Sequence, residues 1–386
     1  MITGIICEYN PLHNGHKKQL DLLRAGDPDG AIVCLMSGNF VQRGQPAVFD
    51  KLTRAKAAVL CGADLVLELP ITYALSSAEG FAAGGVGILG KFCDRLCFGA
   101  ENAQTQALQD IAAALLSPQF PEALAQELEK GLSFPAARQA ALDAMRLDGS
   151  LIATPNNILA VEYCKAIIAQ NSKMQPMPIL RPGDYHDLQA DKENPSATAV
   201  RLLIKSTHDW KSCIPHEAFP CFENATIHAL EKAETAILAK LRTMTDAEFE
   251  ALPYGSEGLW RKLMHECRRQ PDLESILTAV KSKRYTRTRL DRMVMCAFLG
   301  ITEEVLNSPA PYTRVLALND KGRQVLKRAR QTGDFINIGQ TADHPYEALE
   351  SRSTSLYGLF AASPEPPDAE ENYRIFYESG PYFYTV

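Results

Sequence analysis

No run of apolar residues in this sequence approaches the roughly 20 that a bilayer core demands, so no membrane span is expected. A secretory leader is not expected either. Met1 to Ile6 pass straight into a strand-like stretch, with no basic start, no sustained apolar region and no small-residue cleavage site. An excess of positive charge is also missing: 40 Lys and Arg face 46 Asp and Glu, for a net charge of −6. That balance argues against a surface built wholly for nucleic acid, yet leaves local basic patches open. Internal repeats are absent, and the one segment of biased composition, acidic and proline-containing Ser363 to Asn372, reads as a surface loop. Among ten cysteines the only close pair is Cys93 and Cys97, with no second pair or histidines beside it, so zinc is a poor fit and burial the better reading. The others lie in apolar contexts such as Ile32-Val33-Cys34-Leu35, where free thiols act as small core hydrophobes. That usage suits a reducing cytoplasm.

What is present is ordinary globular composition, 46% hydrophobic and 22% charged, over 386 residues, enough for two or three domains. Ile2 to Cys7 form a short apolar run ending in Glu8-Tyr9-Asn10-Pro11, the signature of a buried parallel strand leaving its sheet. A helix over His16 to Arg24 follows, stopped at Gly26-Asp27-Pro28, and Ala31 to Met36 repeat the buried-strand pattern. Strand, helix and strand make a βαβ unit, whose ligands bind at the carboxyl ends of the strands. Further alternation over Lys51–Cys61, Asp64–Pro70, Ser77–Leu89 and Arg95–Gly99 predicts a doubly wound α/β domain with a parallel sheet. Residues 104 to 148 switch to Ala, Leu, Gln and Glu at helical spacing, a helical insertion expected to pack beside the site. The sheet resumes at Met177–Arg181. Near Trp210 the alternation gives out, so the division is 1–210 for the α/β domain and 211–386 for a mainly helical one.

His13-Asn14-Gly15-His16 lies at the mouth of the first helix, in the ligand-binding position of the βαβ unit. Imidazole N–H groups and the helix's unpaired backbone N–H groups converge there on a spot that suits phosphate oxygens, and Gly15 lets a ligand approach. The same donors stabilise the charge that builds as an α-phosphate is attacked and pyrophosphate leaves. A turn capped by two histidines, or a metal pair, would use the same residues. Ser196-Ala197-Thr198-Ala199-Val200-Arg201 puts hydroxyls and a guanidinium at another helix start; alone it reads as a Ser N-cap with a surface arginine, and beside the first motif as a second phosphate contact through Ser196, Thr198 and Arg201.

These blocks resemble the nucleotidyltransferase superfamily with the His-x-Gly-His signature. Met36-Ser37-Gly38-Asn39-Phe40-Val41-Gln42-Arg43-Gly44-Gln45-Pro46-Ala47, Phe98-Gly99-Ala100-Glu101, Pro155-Asn156-Asn157-Ile158-Leu159 and Tyr185-His186-Asp187 narrow the likeness to the bacterial tRNA(Met) cytidine acetate ligases. The resemblance implies that ATP and acetate give acetyl-adenylate, whose acetyl group passes to N4 of the wobble cytidine of elongator tRNA(Met). It places the catalytic pair on His13 and His16. By position it puts ATP contacts on Ile6, Cys7, Glu8, Tyr9, Asn10, Pro11, Leu12, His13, Asn14, Gly15, His16, Lys17, Lys18 and Gln19. Further contacts fall on Gly99, on Asn156 or Asn157, and on Arg181. Leu12 stands where the family commonly has Phe, and Lys17-Lys18-Gln19 replace a more apolar or histidine-bearing run. Mg²⁺ is expected with ATP, held by phosphates and water, with no protein metal ligand assigned.

Lys281 to Arg292 hold six basic residues and one acid, and Tyr285 among them could stack on a base. Lys283, Arg284, Arg287, Arg289 and Arg292 are the tRNA-binding candidates; a solvated helix face is the commoner explanation of such a run. Lys321, Arg323, Lys327, Arg328 and Arg330 form a second basic cluster. Tyr9, Met36 and Phe81 could line an acetate pocket or belong to plain core, and His186 and Asp187 could act in acid–base work or in structure. The expected partners are tRNA(Met) and acetate, without membrane or DNA, in the cytoplasm. Two other readings use the same motifs: a cofactor-biosynthesis adenylyltransferase, and a non-catalytic RNA-binding protein that keeps ATP as a ligand.

Overall fold

The computed structural model describes residues 1–181, 192–206, 208–282 and 284–379. The strands are β1 Ile2–Cys7, β2 Ala31–Ser37, β3 Leu65–Leu69, β4 Arg95–Ala100, β5 Gln175–Leu180, β6 Thr313–Asn319, β7 Phe335–Asn337 and β8 Phe376–Glu378. Strands β1 to β5 run parallel in the order β3-β2-β1-β4-β5, and β6 joins β3 antiparallel. The outer edge of β6 is shared by β7 along one half and β8 along the other. Central strands are covered on both faces, which is why β2 and β3 are buried at every position and read as unbroken apolar runs.

The α/β expectation therefore holds, and the first 100 residues follow the alternation read from them. The sheet, however, also draws β6, β7 and β8 from beyond Trp210. The middle of that region is a helical unit: the helices Glu234–Thr243, Leu259–Cys267, Leu273–Val280 and Arg287–Leu299 enclose a core of their own, containing Ile237, Leu263, Leu277 and Met293, while the helices Asp320–Ala329 and Tyr346–Tyr357 accompany the returning strands. The returning strands escape a reading by pattern because β7 and β8 have only three residues each and because β6 carries Arg314, a charge inside its apolar run. The insertion forms the helices Thr105–Leu116, Phe120–Glu129 and Phe134–Ala144. It packs on the helix Pro155–Ala169 and, among the described residues, contributes nothing to the cavity wall described below.

Arg314 is explained by a buried ionic cluster. Lys51 Nζ donates to Glu68 at 2.9 Å and to Glu370 at 2.8 Å, while Arg314 Nε donates to Glu350 at 2.6 Å and Arg314 also pairs with Glu370 at 3.3 Å. The acidic segment expected as a surface loop is thus partly internal. Glu370 is only 3% exposed, and Glu365 lies 3.1 Å from the buried ring of His228. Charge composition made that segment look solvated; the two cations that neutralise Glu370 are far away in sequence.

Three carboxylates meet two cations here, and burial raises the Glu68 carboxyl to about 7 against the opposing pull of Lys51. An acid whose folded pKa lies above its unfolded one favours the fold below the unfolded value and loses that contribution as pH climbs through the folded one. Glu68→Gln, which cannot ionise, is expected to gain on the wild type by on the order of 1–3 kcal/mol between about pH 5 and pH 8.5. Urea unfolding across that range measures the gap; a gap independent of pH would show that Glu68 does not titrate there.

Candidate active site

Segments distant in sequence meet at the carboxyl ends of β1, β4 and β5 around a cavity of about 780 Å³. After β1 the chain passes Tyr9 in left-handed backbone, φ 44°, a conformation that costs a non-glycine residue on the order of 1–3 kcal/mol. Tyr9 is held by burial: its hydroxyl lies 3.5 Å from Cys34 Sγ and its ring 4.9 Å from that of His16. His13 is then extended, φ −138° and ψ 174°, as the N-cap of the helix Asn14–Gly26.

The rings of His13 and His16 stack at 3.7 Å with 24° between their planes. A Cβ at position 15 would lie 3.1 Å from His13 Cε1 and 3.2 Å from its Nδ1. Gly15 therefore makes room for the histidine ring itself, beyond the ligand approach inferred from sequence. The His13 backbone N–H donates to His16 Nδ1 at 3.3 Å, so a neutral His16 carries its proton on Nε2, as a donor. Both ring nitrogens of His13 are buried with no hydrogen-bond partner among the described residues, a costly state that a ligand oxygen would relieve. Burial, then the charges of Arg181 and Arg201, pushes His13 down to about 3. Burial, then His13 and Arg181, holds His16 well below the ordinary imidazole value. At neutral pH both rings are uncharged N–H donors, and the fixed positive charge is supplied by Arg181 and Arg201, which share the cavity wall with them.

Ser196 caps the helix Ala197–Lys205, its Oγ accepting from Ala199 N–H at 3.0 Å. This is the capping role weighed from sequence, and Ser196 lines the cavity as well. Arg201 donates to Asn10 O at 2.8 Å and to Thr198 Oγ1 at 3.1 Å, tying the second motif to the first. The first block divides. Ile6, Cys7, Glu8, Tyr9, Asn10, His13, Gly15, His16, Lys18 and Gln19 line the cavity, as do Gly99, Asn156 and Arg181. Pro11, Leu12, Asn14, Lys17 and Asn157 do not. Leu12 is fully buried in the core, so the family's larger residue would be accommodated there and not against a ligand. Asn14 donates to Lys192 O and Ser212 O, Lys17 pairs with Asp21 and Glu217, and Asn157 Oδ1 accepts from Asn102 N–H. Of the acetate-pocket candidates, Tyr9 and Phe81 reach the cavity, whereas Met36 is plain core. His186 and Asp187 fall outside the described residues.

Sequence reading passed over Arg54, Glu101 and His228. His228 lines the cavity, stacked 4.0 Å from the ring of Tyr357, and no local pattern marks it. Gln42 and Arg43 belong to a hairpin, Phe40–Val41 with Gln45–Pro46, that folds over the cavity. Gly44, at φ 72°, turns it against the helix Arg287–Leu299, where a Cβ would meet Arg292 N at 2.4 Å.

The basic run Lys281–Arg292 is largely matched inside the fold. Arg287 binds Glu274 through both nitrogens at 2.8 and 2.7 Å and Asp291 at 2.8 Å; Arg284 pairs with Glu257. Arg289 donates to Tyr254 O and Ser256 Oγ, and Arg292 is buried over the Tyr254 ring. Lys283 is outside the described residues. Counting charge along the chain could not reveal Glu257 and Glu274, which arrive from other segments.

The model of a family described as HIGH Nucleotidyl Transferase matches residues 1–372. A tRNA(Met) cytidine acetate ligase of Clostridium acetobutylicum is 36% identical over 95% of this chain and 97% of its own. One from Alkaliphilus metalliredigens is 36% identical over 93% of this chain and 94% of its own. The crystal structure of apo Thermotoga maritima TmcAL superposes with a TM-score of 0.89 at 27% identity, over 98% of this chain and 100% of that one. The same Thermotoga protein bound with alpha-thio ATP matches at 0.86 and 26%, over the same shares.

Without nucleotide, the ring signals of His13 and His16 are expected to stay those of neutral imidazole from about pH 5 to pH 8, where an ordinary histidine titrates. NMR of selectively labelled protein reads this directly. An inflection near about 6.5 in either ring would mean that burial does not control its charge.

Proposed function

We infer, from a chain that belongs to the HIGH nucleotidyl transferase family and within it to the tRNA(Met) cytidine acetate ligases, that this protein is an ATP-dependent enzyme that acetylates N4 of the wobble cytidine of elongator tRNA(Met). Acetate is first activated as acetyl-adenylate with loss of pyrophosphate, and the acetyl group then passes to the cytidine. The observation that carries the reading is the joining of two motifs, His13–His16 and Ser196–Arg201, on one cavity wall through the Arg201–Asn10 hydrogen bond.

The first step needs positioning and charge stabilisation from the cavity and no covalent nucleophile. Acetate oxygen attacks the α-phosphorus, the bond to the bridging oxygen breaks, and pyrophosphate departs with the electron pair. His13 and His16 act as neutral donors to the oxygens that gain charge, and Arg181 and Arg201 balance the triphosphate. Donors that already stand where charge will develop need no reorganisation during the reaction. In the second step the cytidine amine attacks the acetyl carbonyl, the mixed-anhydride C–O bond breaks, AMP leaves with the electron pair, and the nitrogen gives up one proton to solvent. Among the described residues Glu8 is the one carboxylate on the cavity wall, too few for a protein-held divalent ion. Mg²⁺ therefore fits as an ion carried in by the triphosphate.

The tRNA surface is proposed to adjoin the cavity along Lys281–Arg292. Arg292 NH1 donates to Gln42 O at 3.5 Å, so this segment abuts the hairpin on the cavity wall. Arg284, largely exposed, has the reach to meet a phosphate; Arg287, Arg289 and Arg292 hold the segment in place. Reaction in the cytoplasm follows from the substrate.

Incubation with ATP, acetate and tRNA followed by nucleoside analysis is expected to yield N4-acetylcytidine. Pyrophosphate release that requires a phosphorylated small molecule in place of acetate would overturn the assignment. His16→Ala is expected to slow acetate-dependent ATP–pyrophosphate exchange by about 10²–10³-fold with an unchanged circular dichroism spectrum. A normal rate in that variant would remove the histidines from the mechanism. Raising salt from about 50 to 200 mM is expected to weaken tRNA binding by at least about tenfold and ATP binding much less, because phosphate-backbone contacts release counterions. Equal salt slopes would argue against a cationic RNA surface.

A further inference from the structure

Glu101, just beyond β4, is interlocked with the start of the helix Pro155–Ala169. Its carboxylate accepts from Thr154 Oγ1 at 2.9 Å, Asn156 N–H at 3.3 Å, Asn157 N–H at 2.8 Å and Asn156 Nδ2 at 2.7 Å. In return Asn102 N–H donates to Asn157 Oδ1 at 3.1 Å. Gly99, Pro155 and Asn156, on either side of this lock, line the cavity.

Two consequences follow from elementary chemistry. An ionised carboxylate accepts and cannot donate, so the Asn156 amide must turn its NH₂ toward Glu101. Its Oδ1 takes no hydrogen bond among the described residues and remains for the cavity. Further, the backbone N–H groups at this helix start, which would otherwise attract phosphate, are already engaged by Glu101. The helix Asn14–Gly26 instead opens on His13 and His16, and Ala197–Lys205 carries Arg201. This helix start is thus closed to anions, and the acceptor oxygen of Asn156 beside it suits a hydrogen-bond donor, which the nucleoside of a nucleotide carries and its ionised phosphates do not.

We propose that Glu101 is a positioning residue for the nucleoside: it holds Asn156 so that an acceptor oxygen faces the cavity, where it reads a hydrogen-bond donor on the nucleoside of ATP. The proposal rests on the ATP-dependent activity inferred above and names how that site selects its nucleotide. Two groups of ATP supply such a donor, the 6-amino group of adenine and a ribose hydroxyl. Inosine triphosphate replaces the first by a carbonyl; 2′-deoxy-ATP and 3′-deoxy-ATP each remove one hydroxyl.

Acetate-dependent pyrophosphate exchange, run with ATP and these three analogues, provides the test on wild type, Glu101→Gln, Asn156→Ala and the double variant. Wild type is expected to prefer ATP by at least about tenfold in kcat/KM over one analogue, and each single variant to shrink that preference to about twofold. In Glu101→Gln the KM for ATP should rise about tenfold, with kcat within about threefold and the KM for acetate unchanged; the double variant should be no worse than either single one, since both act through one contact. A merely structural Glu101 would instead lower kcat and the thermal midpoint together and move both KM values. That outcome, additive KM increases, or a preference retained in either single variant overturns the proposal. If Glu101→Gln does not fold, Asn156→Ala decides alone, because it leaves the backbone bonds to Glu101 in place. Absence of exchange in the wild type would defeat the function assigned above; exchange with no preference against any analogue would defeat only this inference.

Discussion

Two cations one helical turn apart, Lys51 and Arg54, hold the carboxyl ends of the central strands in their relative places. The helix Lys51–Leu60 delivers both into the interior, where each is almost wholly buried. Arg54 donates to the carbonyls of Glu8, Ser37, Gly38 and Phe49, joining the turn after β1 to the end of β2. Lys51 reaches Glu68 on β3 and Glu370 in the C-terminal segment, and Arg314 on β6 closes the cluster through Glu350 and Glu370. Removing either cation from such a buried set typically costs about 3–5 kcal/mol, because the carboxylates left behind are uncompensated. The cluster therefore joins the two ends of the chain into one sheet.

The site inherits this rigidity. Glu8, whose carbonyl is held by Arg54, accepts the N–H of Gln42 at 2.8 Å, so the hairpin over the cavity is pinned to the same turn. Asn10 takes the next bond, its side chain accepting from Val48 N–H while its carbonyl accepts from Arg201. His228 N–H completes the line by donating to Val48 O at 2.8 Å. Donors aimed at developing charge are effective only if they stay put when the charge appears. His13, whose buried ring nitrogens have no hydrogen-bond partner among the described residues, is expensive to maintain in that state, and this framework is what maintains it.

The division of labour around the cavity is electrostatic. Neutral imidazoles share the cavity wall with the cations Arg181 and Arg201, while Glu101 saturates the N–H groups at the start of the helix Pro155–Ala169. Exposed charge is spent differently. The run Lys281–Arg292 mostly braces its own helix against neighbouring acids and against the hairpin, so its local charge excess is a poor measure of the positive charge it presents.

The strand, turn and helix from Ile2 to Gly26 were legible in the sequence, together with the place of His13 and His16 at a helix start on the cavity wall, because a buried parallel strand is a continuous apolar run and ligands meet a βαβ unit at its strand ends. The same short-range logic located β2 to β5 and the cap at Ser196. It did not separate Leu12 and Lys17, which turn away from the cavity, from His16 and Gln19, which face it. Nor did it find the strands β6 to β8, the burial of Glu370, or the partners that neutralise the basic run. Those depend on pairings between residues far apart along the chain, and such pairings form only when folding brings distant segments together and removes water from between them. Sequence determined that two histidines stand at the start of a helix behind a buried strand; the tertiary structure decided which groups stand beside them and what charge the rings carry.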